Sequence, residues 1–376
     1  MDVRYSYLSE QFADSEEILG VIRQIVERGD FTLGREVREF EDKFAELVGR
    51  RHAIGVASGT DALKLSMKAL GIGPGDEVIT VANTFVSTVA AVTEVGATPR
   101  LVDCNDSFCI DVDLIEPVIS PATKAILPVH LTGNVADMKR IMDIADAYGL
   151  VVVEDACQAL CASRQGKQAG AWGNAAAFSF HPLKALNVWG DGGMIVTDDS
   201  TLDERLRILR NNGVRNRDEV VTLGYNSRLD TIQAAVGLHL IDKTREITRQ
   251  RQSNADYYDE CLSALPGISI PPREADVEQA FHLYMVFAEE RDSLNRWCQE
   301  NGVRTKVHYP TPLYRQEGLK PLGYLPGTFP VTDRHSQEVI SLPVDQFLSQ
   351  EQLEKTVHTL FDFYGRDRMQ SKKAFS

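Results

Sequence analysis

From about residue 53 onward the chain alternates short apolar runs with amphipathic stretches of about 10–15 residues, and that rhythm means strands joined by helices. AIGVA (53–57) leads into a helix over 60–70, and EVIT (77–80) into a helix beginning near Thr84. PRLVDC (99–104) and KAILPVH (124–130) follow, then a helix over 135–148, LVVVEDA (150–156) and a further strand in GGMIVTDD (192–199). Strands that alternate with helices form βαβ units, so the pattern predicts an α/β fold with a mostly parallel sheet. The run Leu150–Val153 is apolar without alternation, as a strand covered on both faces must be.

Both ends depart from this rhythm. Residues 12–50 read as mostly helical, with Val37, Phe40, Phe44 and Leu47 at helical spacing among charged neighbours. Near residue 240 the pattern changes again, and 233–263 reads as one long helix crossing between two domains. The rest, 264–365, contains HLYMVFA (282–288) and a final helix at 350–364, which suggests a smaller α/β domain. The expected division is therefore 1–240, a large domain with an N-terminal helical segment, and 241–376, a linking helix with the small domain. The polar tail, 365–376, is expected to fray.

Composition excludes several classes. A chain of 376 residues, 43% hydrophobic and 25% charged, has ample material for a core. Its net charge of −14 argues against a nucleic-acid partner but leaves room for a local basic pocket. The six cysteines are too scattered for a disulfide scaffold. Cys157 and Cys161 have no second pair or histidine cluster beside them, so they read as packing residues and no metal is expected. The N-terminus lacks a signal-peptide core, and no apolar run approaches the about 18 residues of a membrane span. A cytoplasmic protein with no membrane partner is expected.

Open parallel sheets bind ligands at the carboxyl ends of their strands, and three features should meet there. Ser58-Gly59-Thr60 is a strand-to-helix turn whose N–H groups could hold a phosphate. Asp155 directly follows the valine-rich run, and Lys184 lies among apolar, aromatic and turn-forming residues. Singly these read as an N-cap, a surface turn and a snorkelling amine. Together they fit pyridoxal 5'-phosphate (PLP), which needs a lysine for its Schiff base, a carboxylate for its pyridinium nitrogen and a helix N-terminus for its phosphate. The freed lysine would then serve as general acid and base.

Seven ordered motifs make the chain resemble the DegT/DnrJ/EryC1/StrS sugar aminotransferases. They are SGTDAL (58–63), GIGPGDEVIT (71–80), VEDACQA (153–159), FSFHPLK (178–184), GDGG (190–193), GYNSRLDTIQAA (224–235) and HYPTPLY (308–314), spread over residues 10–362. The resemblance implies a fold-type I aminotransferase, with a mostly parallel seven-stranded sheet in the large domain and a smaller C-terminal α/β domain. It makes Lys184 the Schiff-base lysine and Asp155 the partner of the pyridinium nitrogen. Gly59, Thr60 and Ser179 would hold the phosphate, Gln158 would lie beside the ring, and Phe85 would stack on it where the family usually has Tyr or Trp. Asn226 matches the residue that reaches the neighbouring subunit's cofactor, which implies a homodimer with shared active sites.

Four further residues are candidate substrate contacts: His181, Trp189, His308 and Tyr309. His181 reads equally as pocket wall and Trp189 as a packed aromatic, while Arg228 reads as an ion pair ordering its loop. The implied reaction moves an amino group from L-glutamate to a keto group of a nucleotide-linked sugar, for surface polysaccharide or natural-product synthesis. C-3 is favoured over C-4, because NSRLD (226–230) and GDGG look like the 3-aminotransferases, although His181 resembles some 4-aminotransferases. A smaller residue at Ser227 is expected to open space near the phosphate-side loop, and Asp191 to reshape the turn after the lysine. A keto-cyclitol aminotransferase and a non-catalytic regulator on the same fold are the alternatives. Lys184 argues against the dehydratase branch, which carries histidine at that position.

Overall fold

The structure, a computed structural model, describes residues 2–374. Seven strands form the central sheet: β1 (His52–Val56), β2 (Glu77–Val81), β3 (Thr98–Val102), β4 (Thr123–Leu127), β5 (Val151–Asp155), β6 (Ala175–Ser179) and β7 (Gly193–Thr197). Their order across the sheet is β1-β7-β6-β5-β4-β2-β3. The pairs from β6 to β3 are all parallel, whereas β7 runs antiparallel to both of its neighbours. The expected mostly parallel α/β sheet is what forms, with one reversed strand.

Successive strand residues enter two separate cores. Val152, Ala176 and Ile126 join Phe40, Phe44 and Ala234 on one face. Val153, Ala177 and Ala125 join Leu63, Leu65 and Leu206 on the other. This double covering explains why Leu150–Val153 shows no alternation of polarity. The helical N-terminal stretch resolves into Leu8–Gln11, Glu16–Arg28 and Arg35–Val48, and the last of these buries Val37, Phe40 and Phe44.

The long helix expected over 233–263 is two helices, Thr231–Ile241 and Thr244–Leu262. The break has a local cause. Lys243 N–H closes a tight turn onto Leu240 O at 2.9 Å, and Thr244 Oγ1 donates to the same carbonyl at 3.2 Å, a back-bond that bends helices. Beyond it, strands Ile268–Ser269, Tyr284–Ala288 and Val339–Leu342 form a small antiparallel sheet. Its core contains Tyr258, Leu294, Val357 and Leu360 from the helices around it. The last helix continues past the expected end at 364 to Ala374, through most of the polar tail, and residues 375–376 lie outside the described part.

Side-chain alternation on β5 has one polar consequence. Glu154 and Asp155 point to opposite faces, and Glu154 is fully buried. Its carboxylate accepts N–H groups from Gly170, Trp172 and Gly173 at 2.7–2.8 Å and meets His130 Nε2 at 2.9 Å. Burial alone would raise its pKa, yet the His130 bond and the backbone donors hold it below the ordinary value. Glu154→Leu removes the acceptor and orphans these donors, so urea denaturation is expected to show a loss of about 3–5 kcal/mol.

Candidate functional site

All strands but β7 run the same way, so their carboxyl ends meet along one edge, where a cavity of ≈ 510 Å³ opens. The turn after β1 supplies Ser58, Gly59 and Thr60, the segment after β2 supplies Thr84, Phe85 and Thr88, and β5 and β6 end in Asp155 and Ser179. Reversed β7 brings its amino end there, preceded by Asp191. Lys184, five residues past β6, also lines the cavity, with His282 from the segment entering Tyr284–Ala288.

Asp155 is 6% exposed, and both carboxylate oxygens are held. Oδ2 accepts the Thr88 hydroxyl at 2.8 Å, which in turn meets the Thr84 hydroxyl at 2.8 Å. Oδ1 accepts the Cys157 N–H at 3.3 Å. The backbone is fixed as well, with Asp155 N–H on Pro128 O at 2.9 Å and His130 N–H on Asp155 O at 3.0 Å. A carboxylate clamped in this way keeps its position through a reaction.

Lys184 is half-buried, and its Nζ lies 3.5 Å from His282 Nε2. Burial pushes the lysine pKa below its ordinary value, while Cys157 and Asp155 oppose the shift. Burial, aided by the Lys184 charge, holds His282 well below its usual range, so its imidazole is neutral near pH 7. His308 is pushed down to about 4, first by burial and then by Lys306 and Lys184. Its Nδ1 lies 2.8 Å from Ser341 Oγ. Burial also pushes the Tyr309 hydroxyl up to about 12.

The phosphate-side features converge. Helix Gly59–Ala69 starts at the cavity, capped by Ser58, whose Oγ accepts the Asp61 N–H at 3.1 Å. Its first N–H groups have no partner within the helix. A Cβ on Gly59 would come within 2.8 Å of Ser179 Cβ and 2.9 Å of Cys157 Sγ, so only glycine lets this helix end approach β6. Gln158 Oε1 accepts the Thr132 N–H at 2.8 Å, which fixes the amide beside the cavity. Phe85 is 52% exposed, with its ring centroid 6.2 Å from that of Tyr309.

The structure thus brings Gly59, Thr60, Phe85, Asp155, Gln158, Ser179, His181, Lys184, His308 and Tyr309 to one cavity. Trp189 does not line it; its indole packs edge-on against Phe12 with centroids 5.7 Å apart, and its carbonyl accepts from Gln233. Asn226 is exposed and away from its own chain's cavity. Ser227 is fully buried, with its hydroxyl on Asp61 Oδ2 at 2.7 Å, and opens no space in the cavity wall. Arg228 Nη1 donates to Asn211 Oδ1 at 3.1 Å, which ties down its loop without an ion pair.

Thr88 and His282 were missed in the sequence. Thr88 could have been found by helical spacing from Thr84, four residues earlier, whereas His282 lies about a hundred residues from Lys184 with no local signal. A lysine of depressed pKa, a clamped carboxylate and a glycine-lined helix N-terminus beside a hydroxyl form a donor set that fits PLP. No cluster suited to a metal occurs among the described residues. No described helix is long and apolar enough to cross a membrane.

Capture of PLP by the apo chain is expected to increase with pH through a midpoint below 10.5, the ordinary lysine value, because the neutral amine is the reactive form. The visible absorbance of the bound cofactor checks this. Borohydride treatment should leave the cofactor on the peptide carrying Lys184; a label on any other lysine overturns the assignment.

The model of the DegT/DnrJ/EryC1/StrS aminotransferase family matches residues 13–361. The erythromycin biosynthesis sensory transduction protein EryC1 of Saccharopolyspora erythraea is 41% identical, covering 96% of this chain and 99% of the relative. A dTDP-3-amino-3,4,6-trideoxy-alpha-D-glucose transaminase of Streptomyces venezuelae is 39% identical, covering 92% and 91%. The crystal structure of S. venezuelae DesV superposes with a TM-score of 0.94 at 38% identity, covering 96% of this chain and 98% of that one.

Proposed function

Because the chain belongs to the DegT/DnrJ/EryC1/StrS aminotransferase family, whose cofactor is PLP, we propose that it transfers an amino group from L-glutamate to a keto group, at C-3, of a nucleotide-linked sugar. The observation that carries this reading is the meeting of Lys184, Asp155 and the Gly59 helix end in one cavity, with neutral His282 beside the lysine.

PLP, when bound, supplies a carbonyl that bonds amines and a ring that takes up the electron pair left when a proton departs from the carbon beside the nitrogen. The chain's residues have distinct tasks around it. Lys184 Nζ would hold the cofactor and, as a free amine, would take and return the proton. Burial lowers its pKa and so raises the share of neutral amine that both tasks use. His282 Nε2 orients that amine without bringing a second positive charge. Asp155, held by Thr88 and the Cys157 N–H, sets a negative charge where the ring nitrogen must be protonated. The first turn of Gly59–Ala69, with Thr60 and Ser179, holds the phosphate. Phe85 would lie against the ring and Gln158, fixed by the Thr132 N–H, beside it.

The C-3 preference is supported by the S. venezuelae relative, a dTDP-3-amino-3,4,6-trideoxy-alpha-D-glucose transaminase. In this chain its physical basis shifts from Ser227, which is buried on Asp61, to Asp191 and His181, which line the cavity and can turn the sugar. The reading places residues 1–240 in the PLP-binding domain and 241–376 in the linking helix and small domain, with the protein working in the cytoplasm. The name of the S. erythraea relative points instead to a regulatory role. The Lys184–Asp155–His282 constellation makes that the weaker reading, since ligand sensing alone requires no proton-transferring amine. Incubation with PLP, glutamate and paired 3-keto and 4-keto nucleotide sugars, followed by mass spectrometry, should give amino sugar from the 3-keto isomers. Efficient amination of 4-keto isomers alone overturns the C-3 assignment, and no product from any sugar favours the regulator.

The same reading makes the protein a homodimer whose sites are completed by Asn226 of the opposite chain. Exposed Asn226 follows an apolar stretch in which Val220 is 69% and Leu223 89% exposed, a surface that favours burial against a partner. Mixing inactive Lys184→Ala with Asn226→Ala subunits should restore activity above either alone, toward about a quarter of the sites. A fully active monomer in sedimentation overturns the shared site.

A further inference from the structure

A second recess, of ≈ 80 Å³, opens beside Lys184, lined by Tyr5, Tyr7, Arg251, Lys306 and Asp345 and sharing Leu183, His282, Leu283 and His308 with the main cavity. Tyr7 ties it to the reacting lysine, because its hydroxyl reaches the carbonyl oxygens of Leu183 and Lys184, each at 3.1 Å. The volume holds several waters or one carboxylate group.

Arg251 sets this recess apart. It stands on helix Thr244–Leu262 and is 2% exposed. Nε donates to Gln346 Oε1 at 3.2 Å, and Nη1 reaches the carbonyls of Phe281 and His282 at 3.4 Å. Nη2 is buried without a hydrogen-bond partner, and Arg251 forms no ion pair among the described residues. A guanidinium stays protonated, so this is a buried charge with Nη2 left open, offset in part by the Tyr7 ring, whose centroid lies 5.1 Å from Cζ, and by the nearby Asp345 carboxyl. The recess repays that charge only in part from within. Burial raises Asp345, while the Phe347 N–H, held by Oδ1 at 2.9 Å, and the Arg251 charge oppose that shift. His282 and His308 are neutral near pH 7.

At the outer edge Lys306 is exposed, its ammonium 5.1 Å from the centre of the Tyr5 ring. It also lines an open basin of ≈ 370 Å³ with Arg304. A cationic approach to Lys184 therefore exists in a chain whose net charge is −14. Such local charge concentrates small anions.

We propose that this recess receives a carboxylate of the amino donor, with Arg251 as its buried charge partner and Lys306 at its mouth. The proposal rests on the transaminase reading above. The donor's amine would face Lys184 past His282, while Arg251 holds the carboxylate end, so the guanidinium supplies binding and orientation and leaves proton transfer to Lys184.

Titration calorimetry of the holoenzyme with glutarate, a dicarboxylate lacking the amine, tests this against glutaramide, its neutral counterpart. The wild type is expected to bind glutarate well and glutaramide at least about tenfold more weakly. Arg251→Gln should weaken glutarate about tenfold or more and raise the KM for glutamate, Arg251→Lys should recover part of the loss, and Lys306→Gln should cost about threefold. Affinity for UDP and dTDP should not change. Should Arg251→Gln not fold, surface-exposed Lys306→Gln and the glutarate–glutaramide contrast decide. Glutarate binding equal in all variants overturns the proposal, as does a loss that falls on the nucleoside diphosphates instead. A wild type that binds glutarate through Arg251 but never converts glutamate would remove the transaminase reading and leave the anion site standing. Glutamate turnover with glutarate binding indifferent to Arg251 and Lys306 would do the reverse.

Discussion

The buried Glu154 carboxylate is the fixed point from which the site is laid out. It lies one residue before Asp155 on β5 and faces the opposite side of the sheet. There three backbone N–H groups and His130 hold it. His130 Nδ1 accepts the Ala136 N–H at 3.3 Å, which leaves Nε2 to donate to Glu154. The His130 backbone N–H in turn bonds to Asp155 O. One network therefore pins the end of β5 from below and from the side, and Asp155 inherits that rigidity. A carboxylate that is to act through its charge needs this, because a loosely held one would relax toward water and lose its electrostatic effect.

Lys184 sits in the complementary situation. Around it the chain places neutral His282, neutral His308 and a high-pKa tyrosine, Tyr309, with the Asp155 side chain across the cavity. Burial dominates each of these shifts. The result is a site where the lysine's pKa is lowered while its histidine neighbours stay neutral.

Much of this was legible from residue patterns. The strands at 77–80, 124–127 and 151–155 announced themselves by apolar runs, and Gly59, Asp155, Ser179 and Lys184 by their motifs at strand ends. The alanine-rich β6 gives little strand signal, because it has no β-branched residue and is fixed by pairing with β5 and β7. The helix break at 242–243 was hidden because no glycine or proline marks it, and only the Lys243 turn and the threonine back-bond interrupt the helix. Trp189 stands among the candidates read from the sequence for a related reason. Its neighbours in sequence lie at the site, but its partner Phe12 comes from the far N-terminus. His282 and Arg251 were unreadable, since nothing local distinguishes them from other strand-edge and helix residues.

Those last two residues show how the small sheet enters the chemistry. His282 precedes the strand Tyr284–Ala288, and His308 is hydrogen-bonded to Ser341 on the adjacent strand Val339–Leu342. Phe281 and His282 carbonyls also receive the Arg251 guanidinium, and Tyr7, from the other end of the chain, closes onto Lys184 O. The large sheet thus supplies the anchor and the carboxylate, while the small sheet, the linking helix and the N-terminal segment supply the groups that set the field at the amine. Any displacement of the small sheet relative to β5 and β6 moves His282 from Lys184 and changes the solvent access on which the lysine's lowered pKa depends. The reactivity of Lys184 is therefore a property of the docked assembly rather than of the motif in which it stands.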